Sequence, residues 1–373
     1  MKEVSEVLNK VSDISKVVEV NEKKTKELLK NGAIPCITTG TKKRTYYYTL
    51  ERLIAHAKRR IASKFHATAE NVSVKEAFST KEIDGSLFGP INNGCTVTTF
   101  TNQKGGVGKT TNTINIAVAM AKLGQRVLVV DMDSQAQSSR YFRKISYEGK
   151  SILNLFRMLM EKKKVTKEAV KEMIVSFGEV KYDGYTMDIL PSEIRLARGM
   201  EMLRMMSGAP QRALDDILKT VKEDYDIILL DTAPCAGLAL ETSLYATDKV
   251  VLVTEADEFA IEGLEATIEE IRDLNENIEK HIEINSIFVN SYMKHQSIQV
   301  EQMDKIIDIA INLNLSHTDI YNVKSSPSIV RKSQSLQLAI IDFKEKPREM
   351  MSLVAPMFDF ATTMIEKLES KRG

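Results

Sequence analysis

The sequence predicts an α/β protein built on a doubly wound, mostly parallel sheet, preceded by a smaller N-terminal winged helix-turn-helix domain. Three observations predict it. Runs such as Val127-Leu128-Val129-Val130 and Ile227-Ile228-Leu229-Leu230 are continuously apolar, which suits parallel strands covered on both faces. Beyond residue 94 such runs alternate with helical segments, whereas the earlier residues follow a different periodicity and charge. A chain of 373 residues has room for one large α/β domain plus a smaller one.

Residues 1–20 read as an N-terminal helix, because Val4, Val7, Leu8, Val11, Ile14, Val17 and Val18 recur at intervals of three and four. Such a helix packs either on its own domain or on a second copy of the chain. Residues 21–65 read as the winged helix-turn-helix. A helical stretch at 22–30 ends at Asn31-Gly32, and strand-like runs at 34–39 and 45–49 flank Gly40-Thr41-Lys42-Lys43-Arg44 as a hairpin with a basic tip. A helix over 50–64 follows, carrying Arg52, Lys58, Arg59, Arg60 and Lys64. The segment 66–94 mixes Ser, Thr, Asn and Gly without periodicity and reads as a linker. Residues 95–373 form the α/β domain, with strands expected at 95–100, 127–131, 187–190, 226–231, 250–254 and 284–290 and a helix from Lys109.

Charge divides the same way. Residues 1–94 hold 17 Lys/Arg against 11 Asp/Glu, a balance of +6, and the remainder holds 35 against 40, a balance of −5. The first part is therefore tuned toward an anionic partner, with a solvated charged surface as the plain alternative for its basic runs. Cys36, Cys95 and Cys235 are far apart with no CxxC pair, which signals neither a disulfide framework nor a zinc site. No window approaches the ~18 apolar residues of a membrane span, and the first residues lack the apolar core of a secretory signal. A cytoplasmic location is expected.

The segment that carries chemistry follows the first strand: Lys104-Gly105-Gly106-Val107-Gly108-Lys109-Thr110-Thr111. A loop that wraps backbone N–H groups around phosphate oxygens must lack side chains at the closest approach, and the helix behind it adds its positive N-terminus. Gly105, Gly106 and Gly108 meet that need. Lys109 is spaced to bridge the β- and γ-phosphates, and Thr110 to complete a Mg²⁺ shell. Asp231 closes an apolar strand, where its carboxylate can hold a water of that shell.

Gln103 stands where the common pattern G-x-x-x-x-G-K-[ST] has glycine. The run Gln103-Lys104-Gly105-Gly106-Val107-Gly108-Lys109-Thr110-Thr111 resembles the deviant phosphate-binding loop (P-loop) of the ParA/MinD ATPases, in which Lys104 is the signature lysine. By that resemblance the domain at 95–373 is a P-loop NTPase that binds ATP or ADP with Mg²⁺. Lys104 then reaches the phosphates held by the other subunit of a nucleotide-sandwich homodimer. Asp131-Met132-Asp133-Ser134-Gln135 resembles the family's Asp-x-Asp-Pro-Gln motif with serine in place of proline. The resemblance implies that Asp133 orients the attacking water, that Asp131 supports the metal region, and that Asn290 contacts adenine, although a strand-terminal Asn also serves as a turn former.

The long partition ATPases of this family, which carry an N-terminal helix-turn-helix, fit best. They imply DNA segregation of plasmid or chromosome, nucleoid association, nonspecific DNA binding, stimulation by a centromere-binding partner protein, and repression at operator DNA. Arg331 and Lys332 are the candidates for nonspecific contacts, against a plain solvated helix start; Lys42, Lys43, Arg44, Arg59 and Arg60 are those for the operator. Two alternatives stay open: a membrane-associated positioning ATPase of the MinD kind and a purely regulatory nucleotide-binding repressor. The tail from 350 to 373 has its basic residues only after its apolar part, so it reads as a core-packing helix with no membrane partner.

Overall fold

The computed structural model describes residues 11–17, 21–30, 37–39, 43–45, 94–122, 125–141, 149–176, 187–205, 208–277, 281–291, 297–315, 320–323, 360 and 364. These fall into two compact units, one within 92–117 and 126–325, the other within 2–91, 118–125 and 326–373.

In the second unit, α1 (Val11–Val17) lies within the helix expected over 1–20, the rest of which is outside the described residues, and α2 (Glu22–Lys30) coincides with the helical stretch expected at 22–30. Asn21 caps α2, its Oδ1 accepting from the Lys24 N–H at 2.9 Å. The second strand of the hairpin starts two residues earlier than expected, at Lys43 and not at Thr45. Strand β1 (Ile37–Thr39) pairs antiparallel with β2 (Lys43–Thr45), Thr39 facing Lys43 and Thr38 facing Arg44. Lys43 and Arg44 thus belong to a strand and not to the tip, because a three-residue connection over 40–42 suffices to close a hairpin. Lys42, Arg59, Arg60, Arg331 and Lys332, and the helix expected at 50–64, lie outside the described residues. Of the tail, Phe360 and Met364 are helical and buried.

The first unit is the doubly wound sheet. In chain order its elements are β3 (Thr96–Thr101), the first part of α3 (Lys109–Lys122, of which 118–122 fall in the second unit), β4 (Val127–Met132), α4 (Gln137–Tyr141), α5 (Ile152–Met160), α6 (Lys167–Met173), β5 (Val175–Ser176), β6 (Met187–Leu190), α7 (Leu196–Arg204), α8 (Ala213–Lys219), β7 (Ile227–Thr232), α9 (Leu238–Ala246), β8 (Lys249–Glu255), α10 (Glu258–Asn277), β9 (Glu283–Asn290), α11 (Ser297–Asn312) and β10 (Ile320–Val323). The eight strands run in the order β10-β9-β8-β3-β7-β4-β6-β5. Every pair is parallel except the short edge strand β5, antiparallel to β6.

All residues of β4 and β7 are buried, both the apolar runs 127–130 and 227–230 that open them and the Asp131 and Asp231 that follow. One core packs Leu128, Val130, Ile228 and Leu230 against Ile152, Phe156, Leu214 and Ile217 of α5 and α8. A second packs Val250, Leu252, Ile287 and Val289 against Ile261, Leu264 and Ile268 of α10 and Met303 and Ile306 of α11. After β3 the chain turns toward β4, and after β8 it turns the other way, toward β9. The direction of winding therefore reverses between adjacent β3 and β8, and a ligand crevice is expected outside their carboxyl ends.

Candidate phosphate-binding site

Six residues, 102–107, and Gly108 connect β3 to α3 at that crevice. Gly106 and Gly108 have φ of 83° and 96°, a region that L side chains avoid. At Gly108 space is short as well, since a Cβ there would lie 2.5 Å from the Asn290 Nδ2. Lys109 opens the helix and is buried. Its ammonium donates to the Lys104 carbonyl at 2.8 Å, so it lies folded onto the loop that precedes it. Burial lowers its pKa to about 8, while the nearby Asp231 and Asp133 carboxylates pull it back up.

Asp131 and Asp231 face each other on β4 and β7, and both are fully buried. The two oxygens of Asp131 are occupied: one accepts from the Asp133 N–H at 3.0 Å, the other from the Ser139 N–H at 2.8 Å and the Ser139 hydroxyl at 2.7 Å. Asp131 therefore shapes the turn that carries Asp133, whose own Oδ1 accepts from the Gln135 N–H at 2.8 Å. Asp231 differs. Its Oδ2 accepts from the Ser138 hydroxyl at 2.6 Å, but its Oδ1 is buried with no hydrogen-bond partner among the described residues. Burial raises the pKa of both carboxyls. The Asp231 charge raises that of Asp131 further, while the Ser138 and Thr110 hydroxyls hold that of Asp231 down.

A buried carboxylate oxygen left over beside a threonine hydroxyl, at the start of a glycine loop, suits a hydrated divalent cation. Such an ion takes hard oxygen ligands and few of them from protein. Ser138 and Ser139 are functional residues that no motif in the sequence marks. The available signal was two hydroxyls opening a helix just after an acid-terminated strand.

The remaining predicted residues converge on the same loop. Asn290, at the end of β9, donates from Nδ2 to the Val107 carbonyl at 2.6 Å and accepts from the Asn112 Nδ2 at 3.4 Å. Both ends of its amide brace the loop, so a contact with adenine would compete with these bonds. Gly105 packs near the Pro234 ring, 3.7 Å from the position of a Cβ, which brings the turn after β7 alongside. Lys104 lies at the edge of the crevice, its ammonium 2.7 Å from Asp257 Oδ1 and 5.8 Å from the Phe259 ring centroid. Thr110 and Thr111 lie in the first turn of α3.

A doubly wound sheet with a glycine loop, a buried loop lysine and converging strand-end aspartates defines a P-loop nucleotide-binding protein. Residues 95–284, just over half of the chain, match the family model AAA_31, an AAA domain, and the chain belongs to that family as one of the ParA/MinD P-loop ATPases. It is 32% identical over 208 residues to the uncharacterized protein Rv1708 of Mycobacterium tuberculosis, covering 56% of this chain and 61% of that protein. The sporulation initiation inhibitor protein Soj of Bacillus subtilis is 28% identical over 209 residues, covering 56% of this chain and 77% of Soj. The chromosome partitioning protein ParA of Caulobacter vibrioides is 27% identical over 230 residues, 59% of this chain and 81% of ParA.

Among solved structures, cobyrinic acid a,c-diamide synthase of Mycobacterium smegmatis with a bound ATP analogue and magnesium superposes with a TM-score of 0.55 at 22% identity, covering 74% of this chain and 97% of that one. A plasmid partition protein of Borrelia burgdorferi gives 0.51 at 19% identity, covering 73% and 98%. At these identities the likeness is one of fold. No helix among the described residues is long and apolar enough to cross a membrane.

Proposed function

We propose that this chain is an ATP-dependent DNA partition ATPase. It binds ATP with Mg²⁺ on loop 104–111, dimerises on ATP, binds duplex DNA nonspecifically and hydrolyses ATP when a centromere-binding partner stimulates it. Repression at operator DNA through the N-terminal residues completes the reading. The observation that supports it most is the joining of two loop lysines, one buried and one at the crevice edge, to Asp133 and the half-satisfied Asp231.

The chemistry follows from these side chains. Gly105, Gly106 and Gly108 let the loop N–H groups close on phosphate oxygens. Lys109 exchanges the neutral Lys104 carbonyl for an anionic β/γ-phosphate oxygen, a stronger, charge-assisted bond. Thr110 and the spare oxygen of Asp231 would hold the hydrated magnesium, which supplies charge neutralisation at the phosphates. Asp133, fixed by Asp131 and Gln135, orients the attacking water. Lys104 leaves Asp257 and turns to the nucleotide of the second subunit, which makes ATP the link between the two copies. Relatives named for chromosome partitioning and sporulation control support the cargo assignment.

Binding of the full chain to random duplex DNA, with no nucleotide, ADP, ATP and a nonhydrolysable analogue, tests the proposal when sedimentation is run in parallel. Dimerisation and DNA binding that appear together with ATP or the analogue support the cycle. DNA binding that ignores nucleotide would overturn it.

A further inference from the structure

The first three loop residues are held along one face of α10. Asp257, immediately before α10, and Ala260, Gly263, Thr267 and Glu270 within it recur at spacings of three and four, and so lie in a single stripe along the helix. Each contacts the loop. The Asn102 Nδ2 donates to the Ala260 carbonyl at 3.1 Å. The Gln103 N–H donates to the Thr267 hydroxyl at 3.2 Å, and the Gln103 Nε2 donates to Glu270 Oε2 at 2.9 Å. The Lys104 ammonium meets Asp257. Between them Gly263 permits the approach: a Cβ there would lie 2.5 Å from Asn102 Oδ1 and 2.9 Å from the Lys104 nitrogen. Thr267 is fully buried, and its hydroxyl donates to the Gly263 carbonyl at 2.7 Å, which leaves its lone pairs for Gln103.

Gln103 therefore does more than depart from the common loop pattern. A glycine at this position could make the Thr267 bond but could not reach Glu270. We propose that this stripe is a positioning rail for the phosphate loop, with Thr267 and Glu270 as positioning residues that act through Gln103. The rail fixes the backbone of 102–104, and with it the direction of the Lys104 side chain and of the N–H groups that follow. The inference rests on the reading of the loop as an ATP site.

The test compares Glu270→Ala, Glu270→Gln and the reversed pair Gln103→Glu with Glu270→Gln in the full chain. Amide exchange of residues 103–105 is measured without nucleotide, and affinity with a nonhydrolysable ATP analogue. Glu270→Ala should speed that exchange and weaken analogue binding about three- to tenfold, the effect of one lost hydrogen bond. Glu270→Gln keeps an acceptor for Gln103 and should restore both. Gln103→Glu alone opposes two carboxylates and should match the loss, and adding Glu270→Gln should reverse it. Unchanged exchange and affinity in Glu270→Ala, or a Gln variant no better than the Ala one, would overturn the rail. If the unsubstituted protein fails to bind the analogue while loop exchange follows this pattern, the ATP reading falls and the rail stands.

Discussion

The two ends of the parallel sheet handle charge in opposite ways. At the amino ends of the strands, Asp226 is 1% exposed as a side chain and fully engaged. Its Oδ1 pairs with the Arg126 Nη2 at 2.8 Å, and its Oδ2 accepts from the Arg126 N–H at 2.8 Å and Nε at 3.2 Å. Beside it, Asp248 Oδ2 accepts from the Val97 N–H at 2.9 Å. At the carboxyl ends, a few residues further along β7, Asp231 keeps a buried oxygen without a partner among the described residues, and nearby Lys109 donates to a neutral carbonyl. Buried polar groups are nearly always paired, and an unpaired carboxylate oxygen beside a glycine loop is one that a bound ligand can complete. One end holds the strands in register, and the other stores unspent polar capacity at a cost in stability.

Replacing a residue of the open end should therefore cost chemistry and spare the fold. The largest effect is expected for Lys109→Ala, with turnover down by about a thousandfold because the phosphate charge loses its cation. Its thermal midpoint should hold or rise, since a buried ammonium is removed. Asp133→Asn should lower turnover by about a hundredfold while leaving analogue binding in place. A large fall in thermal stability in either variant would erase the contrast between the two ends.

Acidity sharpens the comparison further. With its pKa lowered to about 8, Lys109 loses its proton in the nucleotide-free protein above that pH. Affinity for the ATP analogue should then fall by up to about tenfold per pH unit, and the break near pH 8 should vanish in Lys109→Met. Stability of the nucleotide-free protein moves in two directions. Between about pH 8 and the ordinary lysine value the unfolded chain binds more protons at this residue, so Lys109 makes stability rise with pH. Asp131 and Asp231 have raised pKa values, so above about pH 4 the folded state binds more protons than the unfolded chain and their contribution falls as pH rises. Asp231→Asn should flatten that fall, and denaturant titrations at several pH values would measure it.

Much of this division is legible in the sequence. Apolar runs ending in Asp131 and Asp231 locate β4 and β7 to within a residue, and the spacing of Gly105, Gly106, Gly108 and Lys109 locates the loop. Residues whose roles depend on contacts across the chain are not legible. Ser139 meets Asp131 only because α4 turns back over β4, and Glu270 meets Gln103 across 167 positions. The α10 stripe is small and polar on a helix whose apolar residues point elsewhere, so hydrophobic periodicity passes over it. The strand edge at Lys43 is not legible either, because threonines on both sides of a short connection suit strand and turn alike.

The closed end yields the smallest effect on chemistry and the clearest one on stability. Asp226→Ala removes three hydrogen bonds to Arg126, but the guanidinium side chain is 40% exposed and regains water. The loss is therefore that of the desolvated backbone N–H and a partly screened ion pair, about 1–3 kcal/mol. In a domain of this size that corresponds to a fall in Tm of roughly 3–10 °C. Turnover and analogue affinity at a temperature below the transition should stay at the level of the unsubstituted protein, because Asp226 precedes β7 and Asp231 stands near its far end. Calorimetry paired with a turnover assay reads both quantities. Lost turnover in a protein still folded at the assay temperature would mean that the register set at the amino ends reaches the phosphate loop, and that the two ends are coupled through β7.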